Sequence, residues 1–178
     1  MKSVLLSIII LAALGEPALA LGLLQDTVSE YPFASDYINI SSSVDFEKYG
    51  LKGHGTAEDP YVIEGLRLQD HVGNGIVVRG VSEHLLIRNC SMEKLTGRYS
   101  LRGNDHISAL GISVNGAENV RVESCSVPGI AFRGVKNGYL VNSTSSDDIV
   151  VEENPRSGSF LISNCKTEKG LHMLGMAN

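Results

Sequence analysis

A repeat of about 19 residues, starting at Leu68, limits what this sequence can fold into more than any other feature. Leu68, Ile87, Val122, Val141 and Ile162 stand 19, 35, 19 and 21 residues apart. Two positions further on come Asp70, Asn89, Ser124, Ser143 and Asn164, all small and polar. Three further on come His71, Cys90, Cys125, Thr144 and Cys165, and Gly75-Ile76, Gly129-Ile130 and Asp148-Ile149 open the next apolar run. Strand-like runs and turn formers locked to one short period mark a solenoid, in which each unit packs only on its neighbours.

The inside of one repeat alternates. Ile76 and Val78 point inward, Gly80 turns the chain, Leu85 and Ile87 point inward again, and Asn89 makes the next corner. Later repeats copy this with Ile112, Val114, Val120 and Val122, then Ile130, Phe132, Tyr139 and Val141, then Ile149, Val151, Phe160 and Ile162. A period of two predicts strands with one buried face, and Gly or Asn at fixed offsets predicts corners in left-handed backbone. Strands this short keep phase only if each pairs in parallel with its copy one turn away, about 4.8 Å off. No 3.6-residue period or LxxLxL consensus recurs, so helical and leucine-rich repeats do not fit. The expected fold is all-β, a right-handed parallel β-helix of about five coils with an N-terminal cap. With no Trp and 6% aromatics the core must be aliphatic, and Phe132, Tyr139 and Phe160 all fall in the inward phase.

Residues 1–20 read as an export signal: Lys2, the apolar run Val4 to Leu14, and the small-x-small site Ala18-Leu19-Ala20. Leu21 to Leu24 prolong the apolar character, so an uncleaved membrane anchor is the alternative. The expected organisation is 1–20 signal, 21–60 cap and lead-in, and 61–178 β-helix. In the cap, Ile38 to Ile40 suits a short strand and Val44 to Tyr49 a small helix over the core. The C-terminal end looks less protected, so either its own tail or a partner, including another copy, covers it. A formal net charge of −5 and the lack of any Lys/Arg run exclude a nucleic-acid binder. Cys90, Cys125 and Cys165 share a repeat phase, which suits small apolar fillers of one inward slot; a Cys90–Cys125 disulfide on adjacent coils is the competitor.

The segment Gly53-His-Gly-Thr-Ala-Glu-Asp-Pro-Tyr-Val-Ile-Glu-Gly65, followed by Leu66 and Leu68, resembles the opening motif of NosD-like right-handed parallel β-helix proteins, which are pectin-lyase-like in fold. Their repeats share the Gly-Ile…Val…Asn-Cys rhythm, and the resemblance spans roughly residues 38–171. It implies a short, archaeal-type envelope protein. The family's named member is implicated in delivering copper to nitrous oxide reductase in the periplasm, so the resemblance also raises copper handling.

Parallel β-helices often carry polysaccharide lyases and hydrolases. Asp147-Asp148 is the one adjacent Asp pair, and Gly53-His54-Gly55 mimics a pectin-hydrolase signature, but the order along the chain is reversed. Glycoside hydrolysis needs two carboxylates facing one sugar, and no second acid falls beside the Asp pair. No catalytic residue, metal or cofactor is assigned. His172, Met173 and Met176 form an alternative soft copper-ligand set. The feature singled out for binding is the corner between Cys90 and Gly111, about 17 residues longer than the others. It carries Arg98, Tyr99, Arg102, Asp105 and His106, which suit an acidic sugar or a partner surface. Of the three sequons, at Asn39, Asn89 and Asn142, Asn39 is the candidate for a glycan, since the other two fall in repeat columns that already want Asn and small polar residues. The expected function is an exported, non-enzymatic structural or glycan-binding module of the cell envelope, whose partners are polysaccharide or envelope proteins. A carbohydrate-active enzyme and a copper-handling protein are the alternatives.

Overall fold

In the computed structural model, residues 37–100, 106–152 and 158–175 are described. Residues 1–20, read from the sequence as an export signal, lie outside them. Among the described residues no helix is long and apolar enough to cross a membrane.

The chain winds as a three-faced parallel β-solenoid. The opening coil holds β1 (Ile38–Ile40), α1 (Ser43–Lys48), β2 (Tyr61–Glu64) and β3 (Arg67–Gln69). The second holds β4 (Ile76–Arg79), β5 (Leu85–Arg88) and β6 (Ser91–Glu93). A hairpin follows, β7 (Arg98–Ser100) and β8 (His106–Ser108). The third coil is β9 (Ile112–Asn115), β10 (Val120–Glu123) and β11 (Ser126–Val127). The fourth is β12 (Ile130–Arg133), β13 (Gly138–Val141) and β14 (Thr144–Ser145). The fifth is β15 (Ile149–Glu152), β16 (Phe160–Ser163) and β17 (Lys166–Thr167), and β18 (Leu171–Leu174) begins the first face again.

Every strand except the hairpin pairs in parallel with its counterpart one coil away. The first face stacks β1, β4, β9, β12, β15 and β18; the second, β2, β5, β10, β13 and β16; the third, β3, β6, β11, β14 and β17. Like residues therefore sit above one another. Ile38, Ile76, Ile112, Ile130, Ile149 and Leu171 make one inward column of the first face. These isoleucines are buried, so the interior is a set of aliphatic ladders in which each β-branched side chain packs on its copies.

Corners follow from backbone chemistry. After the first face the chain turns at Gly80, Gly116 and Gly134, with φ of 61°, 58° and 56°. That left-handed region costs glycine least. After the second face the same job falls to Asn89, Ser124, Asn142 and Asn164, with φ between 51° and 54°. Side chains support these corners: the Asn164 Nδ2 donates to the Asn142 Oδ1 at 2.8 Å.

Three features of the repeat correct the expected columns. The inward ladder of the second face is Ile63, Ile87, Val122, Leu140 and Ile162, not Leu68 and Val141. Leu68 pairs with Met92 on the third face. The cysteine ladder is Leu66, Cys90, Cys125, Ser143 and Cys165, without His71 or Thr144. One step separates β10 from β13 in both cases: the spacing is 18 rather than 19. A one-residue slip turns every side chain of a strand over, so Tyr139 and Val141 face outward and Gly138 and Leu140 face inward. Tyr139 is therefore not a core aromatic.

The N-terminal end is closed. The α1 side chain Phe46 is fully buried and its ring stacks on Tyr61 at 4.1 Å. On the outer edge of β1 the Asn39 amide N–H donates to the Tyr49 hydroxyl, and Val62 N–H of β2 donates to the Lys52 carbonyl. The α1 start is fixed by Asp45, whose carboxylate accepts from the Ser41 and Ser42 backbone N–H groups.

Candidate ligand-binding groove

The outward positions of the second face build a surface that the inward ladders alone would not reveal. Register stacks Val62, Leu86, Arg121, Tyr139 and Leu161 in one column along the solenoid axis. Adjacent members lie about 4.8 Å apart, so the column is a track roughly 20 Å long. The neighbouring outward column carries Glu64, Arg88, Glu123 and Val141.

A groove of about 470 Å³ lies over this track, lined by Ala57, Pro60, His84, Leu86, Arg121, Asn137 and Tyr139 among others. Each wall has a local cause. Ala57 and Pro60 belong to the lead-in loop, which a side-chain hydrogen bond between His54 Nδ1 and the Asp59 carboxylate closes, helped by Asp59 N–H donating to the Thr56 hydroxyl at 3.1 Å. That loop is tied to the next coil, since His84 N–H donates to the Gly55 carbonyl and Tyr61 N–H to the His84 carbonyl. His84 is therefore held at its corner by the opening coil through both its backbone N–H and its carbonyl. Asn119 and Asn137 form the other rim, with φ of 53° and 57°. The Asn137 Nδ2 donates to the Asn119 Oδ1 at 3.0 Å, and the Asn119 Nδ2 donates to the Ser82 carbonyl.

Arg121 is the cation of the groove. Its Nε donates to a Glu123 carboxylate oxygen at 2.7 Å, which fixes the guanidinium beside the Tyr139 ring, 6.0 Å from the ring centroid. A guanidinium held through Nε leaves its two terminal amino groups to meet a carboxylate or hydroxyl, and the half-buried Tyr139 ring offers an apolar plane. None of the lining residues is Asp or Glu. This geometry can bind and orient a ligand, but it holds no pair of carboxylates for acid–base work on a glycosidic bond.

The residues singled out in the sequence stand elsewhere. Arg98, Tyr99 and His106 fall on the antiparallel hairpin, where Arg98 pairs with Ser108, Tyr99 with Ile107 and Ser100 with His106. Arg102 and Asp105 lie outside the described residues. The long corner is thus anchored at both ends: Thr96 bridges to Val72, and Leu95 and Ala109 are buried in the core.

The other chemical motifs are dispersed. Gly53-His54-Gly55 lies in the opening coil and Asp147-Asp148 three coils on, about 14 Å along the axis. Asp147 pairs with Lys169 at 2.8 Å and Asp148 with His172 at 3.1 Å, so both acids brace the last coil. His172 and Met173 are neighbours on β18 and point to opposite faces, so the fold does not bring them together, and Met176 lies outside the described residues. Among the described residues no cluster of three His, Cys, Asp or Glu side chains could hold a metal ion. Asn39 lies within β1, its Oδ1 accepting from Arg79 at 3.1 Å.

All three cysteines are thiols. Cys90 and Cys125 stack on adjacent coils and their thiols donate to the Arg88 and Glu123 carbonyls, both at 3.3 Å. The contact with Cys125, followed by burial, raises the Cys90 thiol far above its ordinary range.

Compared with protein-family models, curated proteins and solved structures, the chain matches none.

Tyr139 is the functional candidate that the sequence hid. Its signal was present in the flanking corners, because Gly116 to Gly134 and Asn119 to Asn137 are both spaced by 18.

Proposed function

We propose that this protein is an exported, non-enzymatic β-solenoid that binds glycan at the cell envelope through the outer second face. One observation carries the reading: an open groove in which Tyr139, Leu86 and Pro60 offer apolar surface beside the Arg121 guanidinium, with no carboxylate in the lining. Sugars have apolar ring faces and polar edges, and a carboxylated sugar adds an anion that a guanidinium can clamp. A track about 20 Å long suits several sugar units in a row. The N-terminal Lys2, apolar run and Ala-Leu-Ala site support export. The Gly53–Gly65 segment supports kinship with NosD-like β-helix proteins.

The test is a screen of neutral and uronic-acid oligosaccharides, followed by calorimetry on the best ligand. Tyr139→Ala should weaken binding about tenfold, roughly 1.4 kcal/mol. Arg121→Ala should abolish any preference for the acidic sugar over its neutral counterpart. If the parent binds none of the sugars, or both variants bind as it does, the reading fails.

A further inference from the structure

The two ends of the solenoid differ. At the N-terminal end α1, Tyr49 and Lys52 cover the strand edges and Phe46 plugs the core. At the other end β16, β17 and β18 are each the last strand of their face. Among the described residues nothing pairs with their outer edges, and the inward side chains are open: Leu171 is 47% and Met173 44% exposed, and Phe160, Ile162 and Cys165 are only partly buried. Three unpaired strand edges around an apolar centre form a template for further pairing.

We propose that this end joins a second copy of the chain, end to end, as a closed two-fold dimer. A two-fold axis lying in the end plane and passing through the third face reverses the winding of the partner, so every pairing across the junction is antiparallel. It sets β17 against its own copy and β16 against the partner's β18. The strands suit this. Centred on Thr167, the β17 pair brings Lys166 opposite Glu168, once in each direction, and both side chains are exposed. β16 and β18 are four residues each. In the register that sets Phe160 opposite Met173, Ile162 meets Leu171, so all four inward side chains close one continuous core. An isologous contact of this kind closes on itself, and the covered N-terminal ends stop the pair from growing into a fibre. Opposite charges directly across antiparallel strands favour this register, and like charges oppose it.

Sedimentation equilibrium of the full chain at micromolar concentration tests the dimer. The wild type should run at twice the chain mass and Met173→Lys, which buries a charge at the junction, as a monomer. Lys166→Glu should raise the dimer dissociation constant about tenfold, by setting Glu against Glu168 twice. Lys166→Glu with Glu168→Lys should restore it, since the pairs are then merely exchanged. Circular dichroism of Met173→Lys should stay that of the parent. A monomeric wild type, an open-ended series of oligomers, or a charge exchange that fails to restore the dimer would overturn the proposal.

Discussion

Gly138 and Phe160 are register partners on the second face, and the ring of Phe160 occupies the space that a side chain on Gly138 would need. A Cβ on Gly138 would come within 2.2 Å of that ring. Phe160 also meets Phe132 edge to face at 4.8 Å, so moving its ring away from Gly138 gives up that contact. Gly138 is therefore small because the next coil fills its volume.

Gly138→Ala should destabilise the protein by about 1–3 kcal/mol through overpacking. The companion Phe160→Leu variant frees space, and Gly138→Ala should cost less in that background. Thermal unfolding of the four proteins checks this. Equal costs in both backgrounds would mean that Phe160 does not set the limit.

Phe46→Ala should open the N-terminal end. The loss of a fully buried ring stacked on Tyr61 should cost about 3–5 kcal/mol. Amide exchange should then rise first in β1 and β2, the strands that the cap covers, and later in β10 and β13.

Cys90 and Cys125 should stay unbridged under oxidising conditions. In-register parallel strands hold their Cβ atoms side by side, about 4.8 Å apart, while a disulfide needs a mean near 3.8 Å. Both thiols are buried, and Cys90 holds its proton tightly. Alkylation of the folded protein followed by mass spectrometry should label Cys165 first, because it is the partly exposed one. Rapid labelling of Cys90, or a mass two units lower with a Cys90–Cys125 peptide, would contradict this.

Glu64 gives the acid response a sign. The hydrogen bond from Arg88 lowers its carboxyl below the ordinary value of 4.5. A lowered carboxyl stabilises the fold above its unfolded value and loses that contribution as pH falls through the lowered one. The pair is more than a third exposed, so roughly 0.5 kcal/mol is at stake. Glu64→Gln should lower the melting temperature slightly at neutral pH, and the difference from the parent should shrink as pH falls below the ordinary Glu value and vanish once it is below the lowered value of Glu64. A difference that persists at low pH would point to packing instead.

Much of this architecture is legible in the sequence, because period two inside a coil and a fixed return of Gly and Asn both follow from backbone geometry. Ile76, Ile112, Ile130 and Ile149 can be read directly as one ladder. The site was not legible from the same periodicity. Gly138-Tyr139-Leu140-Val141 has three apolar side chains in succession, so alternation fits either frame, and the frame decides whether Tyr139 is core or surface. Two things settle it: the flanking corners, Gly116 to Gly134 and Asn119 to Asn137, each spaced by 18, and the bulk of Phe160 beside Gly138, a contact between coils. Leu68 has the same cause: strands of the third face alternate like those of the second, and register alone pairs it with Met92.

The most direct test of the central claim is hydrogen exchange with and without the tightest-binding oligosaccharide from the screen. Protection should appear at 84–86, 119–121 and 137–139, three segments distant in sequence that meet only along the outer second face. Protection confined to the hairpin of β7 and β8, or none on the second face, would contradict the account.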